Sequence, residues 1–318
     1  MACITYNQQD YIAKALESIL SQVTDFDYEI LVHDDASTDG TGSIVEELSE
    51  KYPGRIKYIR QSENKYSQGV RIVELALSYV SGDFIAYCEG DDFWADDDKL
   101  QKQYDYLLSN PRCGAVFGDA NIYIQGTGVL IRAHDSMRCY VPPSGDVRRE
   151  LLLGNPYKSC TAMFRKIAVE GYAAHAEKLH AKMDDYVMWL CVCLSYEIYY
   201  MPDVLATYRV LPHSASHFLD WRHKVRFDRS TYKVAVYFNR LMGGGVDNKK
   251  IRSGYAYSLF SFFLGLRQFS KAFHYFEFSS CFCSLFLGGV KRKVAGFIKK
   301  TVRSVKVLFK SDLHMVSK

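Results

Sequence analysis

Three groups of carboxylates in this chain have the spacing to do chemistry. Glu89-Gly90-Asp91-Asp92 follows directly on an apolar run, Phe84 to Cys88. Side chains two apart at a strand end leave on the same side, and Gly90 permits close approach of other backbone. Such a pair suits a hard divalent cation, Mg²⁺ or Mn²⁺, with positions left open for phosphate oxygens. Asp96, Asp97 and Asp98 follow closely, so a solvated acidic loop is the competing reading. The aromatic pair Phe93-Trp94 weighs against it, because a solvated loop rarely carries Trp.

The second group is Asp34-Asp35-Ala36-Ser37-Thr38-Asp39. A carboxylate there can accept a hydrogen bond from a ring N–H of a pyrimidine. A helix cap explains Thr38 or Asp39 equally well. It does not explain two adjacent acids at a strand tip, which repel unless a ligand or donor pairs them. The third group, Asp184-Asp185, stands before Trp189, Leu190 and Leu194, as at the start of a helix. A carboxylate there is a helix cap or a general base, and the helix dipole favours its anion.

The elements that must position these acids alternate from the start. Ala2 to Tyr6 reads as a strand, and Ile12, Ala15, Leu16, Ile19 and Leu20 recur at helical spacing. Tyr28 to His33 is a buried strand, Thr41 to Lys51 a helix, Ile56 to Arg60 a strand. A helix from about Ile72 to Val80 precedes the strand Phe84 to Cys88. This order predicts an α/β fold, a doubly wound and mainly parallel sheet. Ligands of such sheets sit beyond the carboxyl ends of the strands, where both acidic turns fall. There is no Gly-x-Gly-x-x-Gly after the first strand and no Gly-x-x-x-x-Gly-Lys-Ser/Thr. Dinucleotide oxidoreductases and P-loop NTPases are disfavoured accordingly.

Taken together, the residues resemble the glycosyltransferases of family 2 with the GT-A nucleotide-diphospho-sugar fold, most of all the bacterial branch that builds surface polysaccharides. The matching stretches are Thr5-Tyr6-Asn7, Asp34 to Thr41, Glu63 to Gly69, Cys88 to Trp94 with Lys99 to Gln103, Met163 to Lys166, Asp185 to Leu190 and Tyr208-Arg209-Val210. The resemblance implies a catalytic domain over 1–215, with Asp185 as the base that deprotonates an acceptor hydroxyl in a single inverting displacement. It implies Thr5, Tyr6, Asn7, Asp34, Asp35, Asp91 and Arg209 on the donor side, and Trp94 and Asp184 on the acceptor side. Glu89, Asp91 and Asp92 fill the metal-binding position for Mn²⁺ or Mg²⁺, and His213 stands where it could assist. Two features depart from the pattern: few strand residues precede Thr5, and Glu89 stands where Asp is common. The Gln-x-x-Arg-Trp motif of processive synthases is absent after Asp185, which implies transfer of single sugars. Read alone, Arg209 is equally an ordinary salt-bridge partner and His213 a surface-loop residue. A catalytically inert scaffold of the same fold and a nucleotidyltransferase are the competing functions; the latter would normally carry a Gly-rich basic phosphate loop near the N-terminus.

The near-neutral formal charge of +4 hides a split. Residues 249–318 hold 14 Lys and Arg against 2 acids, whereas residues 1–248 hold 26 against 34. A helical extension is expected over 216–287, including a hairpin from Lys249 to Ser284. Over 288–318, Val294, Phe297, Ile298, Val305, Leu308 and Phe309 share a helical face amid Lys and Arg. That pattern predicts a basic amphipathic tail on anionic lipid; nucleic acid is the competitor and is not expected as a partner. The uncharged runs Tyr255–Leu266 and Phe278–Val290 are roughly a dozen residues each, too short to span a bilayer. Nine cysteines without a Cys-x-x-Cys pair favour reduced thiols. No basic-then-apolar leader opens the sequence. The expected location is cytoplasmic, peripheral to the inner membrane. The expected partners are a nucleotide-sugar donor, a UDP-sugar by default, and a lipid-linked saccharide acceptor of capsule, exopolysaccharide or O-antigen synthesis.

Overall fold

The computed structural model describes residues 1–211 and 221–266, together with 268, 271, 272 and 275. His213, most of the second arm of the expected hairpin and the basic tail over 288–318 lie outside the described residues.

The chain opens with strand β1 (Ala2–Thr5), helix α1 (Ile12–Leu20), β2 (Ile30–Asp34), α2 (Thr41–Lys51), β3 (Ile56–Arg60), α3 (Ile72–Ser78) and β4 (Phe84–Glu89). Then come β5 (Phe93–Trp94), α4 (Lys99–Ser109), β6 (Cys113–Ile124), β7 (Val129–Ile131), α5 (His134–Met137), α6 (Arg148–Leu153) and β8 (Met163–Arg165). The remainder is α7 (Tyr172–Leu179), α8 (Asp184–Ser195), β9 (Glu197–Val210), α9 (Trp221–Leu241) and α10 (Asn248–Gly265).

One sheet runs in the order β3-β2-β1-β4-β8-β6-β9-β5, with β7 paired to β6. Strands β3, β2, β1 and β4 are parallel, as the βαβ alternation predicts. Strand β8 is antiparallel to both β4 and β6, so the second half is mixed. The long strands β6 and β9 pair in parallel. Alternate residues feed the two faces. Ala2, Leu31, Ile85 and Tyr87 join Phe117, Phe164 and Trp189 on one side. Cys3, Ile30, Val32, Ala86 and Cys88 join Ile12, Leu16 and Ile19 of α1 on the other. That period of two is what a strand buried on both faces requires. In α1, buried Ile12, Ala15, Leu16 and Ile19 form the predicted stripe. Each large apolar side chain withdrawn there contributes roughly 1.5–3 kcal/mol.

Helix α9 is polar along much of its length and lies inside the helical extension expected over 216–287. Its Val234, Ala235 and Phe238, with Val246 and Ile251, join the core that holds Trp189. So α9 and the first arm of the expected hairpin, α10, pack on the α/β body. The seven described cysteines are free thiols. No described helix is long and apolar enough to cross a membrane.

Candidate active site

Strand β4 ends at Glu89, level with Ile4 of β1, and the Gly90 N–H donates to the Ile4 carbonyl at 2.9 Å. A Cβ on Gly90 would stand 2.4 Å from Gln8 Oε1 and 2.9 Å from Thr5 Oγ1. A side chain at this position would have to displace Gln8 and Thr5 of the β1–α1 loop. Thr5 donates to Gln8 Oε1 at 2.8 Å, fixing that loop against the turn.

The turn is locked from the far side of the sheet by Arg209. Its backbone N–H donates to Asp92 Oδ1 at 2.7 Å, its Nε to the Asp91 carbonyl at 2.6 Å, and its Nη1 to Gln125 Oε1 at 2.6 Å. The guanidinium lies 4.8 Å from the Tyr11 ring centre, 5.3 Å from Tyr123 and 5.5 Å from Phe93. Arg209 is a buried nexus rather than a surface ion pair.

Burial pushes the Glu89, Asp91 and Asp92 carboxyls above the ordinary carboxylate range. Neighbouring negative charge adds to the rise at Glu89 and Asp92. Gln8 and Arg209 oppose it at Asp91. Asp92 Oδ2 is buried with no N–H or O–H donor, and the Cys160 thiol is the weak donor beside the carboxyl. Crowded carboxylates, one with an oxygen that no N–H or O–H group reaches, suit a cation better than they suit each other. Among the described residues, no three His, Cys, Asp or Glu side chains converge enough to hold a metal by themselves. The donor set fits an ion that takes its remaining oxygens from elsewhere, as Mg²⁺ and Mn²⁺ sites on phosphates do.

Asp34 and Asp35 at the end of β2 are both buried, and the protein itself supplies their donors. Asp34 Oδ1 accepts from the Ser37 N–H at 2.8 Å and the Ser37 hydroxyl at 2.6 Å, and Oδ2 from the Tyr58 hydroxyl at 2.8 Å. Asp35 accepts from the backbone N–H groups of Lys65 at 2.8 Å and Tyr66 at 3.0 Å. Of the two ways to relieve paired acids at a strand tip, a ligand or a donor, these bonds supply the donor. Asp35 anchors the loop after β3, and between Asp35 and Ser37 the non-glycine Ala36 is held at φ 64°, a left-handed conformation typical of constrained sites. Asn7, at φ 52°, accepts from the Thr38 N–H at 2.8 Å, and its own N–H donates to Ser37 Oγ at 2.9 Å. Thr5 is buried beside this lacing and Tyr6 is exposed.

Helix α8 begins at Asp184 as its sequence suggests. Burial raises the Asp185 carboxyl to about 6, outweighing the Tyr186 N–H that favours its anion. Asn155 Nδ2 donates to Asp185 Oδ2 at 3.5 Å. Asp185 is also among the charges that push Glu89 up, and both act on the buried Tyr87 hydroxyl. The third acid group thus lies within electrostatic reach of the first. Asp184 is paired with Arg71, whose Nη1 also donates to the Ala181 carbonyl at 3.5 Å. Arg71 and Asn155 had no local signal in the sequence, since each finds its partner through the fold.

Trp94 is buried, with its indole N–H on the Cys160 carbonyl at 3.1 Å and the Lys99 ammonium 4.3 Å from its ring centre. It supports the turn from beneath; an indole so enclosed offers no face to an acceptor. Lys99 donates to Gln103 Oε1 at 2.7 Å, and Gln103 reaches the carbonyls of Val116 and Thr161 at 3.0 and 2.8 Å. Burial lowers the Lys99 ammonium to about 7. The Lys99–Gln103 stretch therefore ties α4 to the sheet below the site.

The family described as Glycosyl transferase family 2 matches residues 2–171. An uncharacterized protein of Mycobacterium tuberculosis is 40% identical over 115 residues, 36% of this chain and 32% of that protein. The match thus spans about a third of the length of such relatives. The Escherichia coli UDP-Glc:alpha-D-GlcNAc-diphosphoundecaprenol beta-1,3-glucosyltransferase WfgD is 29% identical over 192 residues, 59% of this chain and 66% of WfgD. Among solved structures, S. aureus TarS 1-349 with UDP-GlcNAc superposes with a TM-score of 0.53 at 17% identity, covering 82% of this chain and 71% of that one. The Pyrobaculum calidifontis mannosyltransferase PcManGT with GDP-Man and Mn2+ gives 0.53 at 19%, covering 81% and 72%. At such identities these two structures attest the GT-A fold.

Proposed function

The chain belongs to glycosyl transferase family 2, matched over just over half of its length, and on that premise we propose that it moves a single sugar from a nucleotide-diphosphate donor, a UDP-sugar, to a hydroxyl of a lipid-linked or polysaccharide acceptor. The observation that carries the reading is Asp185: a half-buried carboxyl at a helix N-terminus, with its proton affinity raised to about 6, within electrostatic reach of Glu89 at the end of β4. A base poised near the working pH is what abstraction of a hydroxyl proton requires.

Asp185 takes the proton of the acceptor hydroxyl as that oxygen bonds to the anomeric carbon. The bond from that carbon to the diphosphate oxygen breaks, and the nucleoside diphosphate leaves with the electron pair. Attack opposite the leaving group inverts the centre. Asn155 steadies the Asp185 carboxylate. Arg71 neutralises Asp184 next to it. Arg209 holds the Asp91-Asp92 turn in shape rather than binding phosphate with its engaged donors. Asp91 and Asp92, with Glu89 adjacent, would hold a divalent cation, which supplies neutralisation of the diphosphate charge. Asp35 shapes the donor side by fixing the loop at Lys65–Tyr66.

The pathway proposed is capsule, exopolysaccharide or O-antigen synthesis at the cytoplasmic face of the inner membrane, with the basic stretch 288–318 contributing to attachment. The relative WfgD, by its name, acts on a diphosphoundecaprenol-linked sugar, which supports a lipid-linked acceptor here. Release of nucleoside diphosphate from a panel of nucleotide sugars with Mn²⁺, compared between the natural chain and Asp185→Asn, tests the reading. Donor binding without release in either protein would favour the inert scaffold instead.

A further inference from the structure

The β6–β7 hairpin and the turn after it carry an unusual exterior. Val129, Leu130, Met137, Tyr140 and Val141 are all exposed, Met137 at 61% and Val141 at 77%. Large apolar residues scattered singly on a surface need no explanation. Five within thirteen residues do, and the exposed charges among them are Arg132 and Arg138. The sole acid of the stretch, Asp135, is turned inward, where it accepts from Lys158 Nζ at 2.7 Å and the Tyr200 hydroxyl at 3.2 Å and meets His134 Nδ1 at 3.0 Å.

The segment is built, not slack. Buried Asp119 accepts from the N–H groups of Ala120, Asp135 and Ser136 at 2.7, 2.9 and 3.0 Å. Asn121 Oδ1 accepts from the Ala133 N–H at 3.1 Å, and the Tyr157 hydroxyl donates to the Pro143 carbonyl at 2.7 Å. Fixed at both ends, residues 137–141 are held outward with their apolar side chains in water.

The topology gives this exterior a direction. Strand β6 runs with β4, because β8 is antiparallel to both. Met163 is level with Ala86 of β4 and Val116 of β6, so Glu89 and Asp119, three residues on, end at the same edge. The hairpin continues past that edge, and Gln125 in its turn and Tyr123 just before it contact Arg209, which locks the acidic turn.

We propose that the segment from Val129 to Val141 is a second membrane contact, in which exposed apolar side chains enter the interfacial layer of an anionic bilayer and Arg132 and Arg138 meet lipid phosphates. Basic residues without exposed acids match an anionic surface, and Tyr suits the interfacial zone. A contact at this edge turns the mouth of the acidic site toward the bilayer. That consequence, delivery of a lipid-linked hydroxyl to Asp185, rests on the transferase reading; the contact itself does not.

The test uses the full chain with Cys281→Ser and Cys283→Ser and an environment-sensitive NBD label on Cys139, the exposed thiol within the segment. No donor is present, so failure of the catalytic reading leaves the result intact. Vesicles of phosphatidylcholine with phosphatidylglycerol are expected to blue-shift the label and shield it from aqueous iodide; phosphatidylcholine alone is not. In the unlabelled full chain, Met137→Asp with Val141→Asp is expected to weaken binding to the anionic vesicles roughly tenfold. The proposal is overturned if the protein sediments with anionic vesicles while the label stays open to iodide, which assigns binding to the tail alone. It is equally overturned by a blue shift that grows with protein concentration in the absence of vesicles, the signature of a second copy on this face, or by no vesicle binding at all.

Discussion

Arg209 donates its backbone N–H to Asp92 Oδ1 across 2.7 Å and its Nε to the Asp91 carbonyl across 2.6 Å. One residue of β9 thereby fixes the side chain of one acid and the backbone of another, 117 and 118 residues away in sequence. The shape of the acidic turn is therefore a property of the assembled sheet rather than of the turn's own sequence.

Arg209→Lys keeps the charge and the backbone bond but loses the forked donors and much of the ring contact. It is expected to destabilise the fold by about 1–3 kcal/mol and to weaken binding of UDP. Urea denaturation and calorimetric titration with UDP check both, and an unchanged UDP affinity would detach Arg209 from the site.

Asp185 must be ionised to act as a base, and its folded value lies near 6. Turnover is expected to rise with pH through about 6 and to level above it. Asp185→Asn is expected to lower turnover by about 10²–10⁴-fold. The stability sign is opposite. A carboxyl raised in the folded state stabilises below its unfolded value near 4, and that contribution is lost as pH rises through about 6. Asp185→Asn should therefore raise the Tm at pH 7.5, by an equivalent of at most about 3 kcal/mol, and do little at pH 4. A fall in Tm at pH 7.5 would contradict the burial argument.

Arg71 and Asp184 form a mostly enclosed ion pair, with side chains 17% and 18% exposed. Arg71→Met leaves Asp184 uncompensated and is expected to cost about 1–3 kcal/mol. Adding Asp184→Asn should recover a large part of that loss. Purely additive effects in the double-mutant cycle would show that the two do not interact energetically.

The cation proposed at Asp91 and Asp92 makes UDP affinity depend on metal. EDTA is expected to weaken UDP binding in the natural chain, and Mn²⁺ to restore it. In Asp91→Asn the two conditions should differ little. Equal UDP affinity with and without Mn²⁺ in the natural chain would remove the ion from the account.

The order of elements was legible because βαβ units announce themselves locally. Ile12, Ala15, Leu16 and Ile19 form a helical stripe whatever they pack on, and Asp184 opens a helix because the apolar run behind it does. What each acid touches was not legible. Asp35 reads as a ligand to a base until Lys65 and Tyr66, thirty residues on, present their N–H groups to it. Trp94 beside an acidic turn reads as an acceptor platform; Lys99 and Cys160 enclose it. Arg71 carries no motif, and its partner lies 113 residues away. Pairings at that distance are set by sheet order, which local periodicity does not encode.

The most direct measurement is release of nucleoside diphosphate from UDP-sugars and GDP-mannose with Mn²⁺, by the natural chain and by Asp185→Asn at equal Tm-verified folding. The account predicts release from at least one donor by the natural chain and a loss of about 10²-fold or more in the variant. Release that survives Asp185→Asn undiminished, or donor binding with no release by the natural chain, would contradict it.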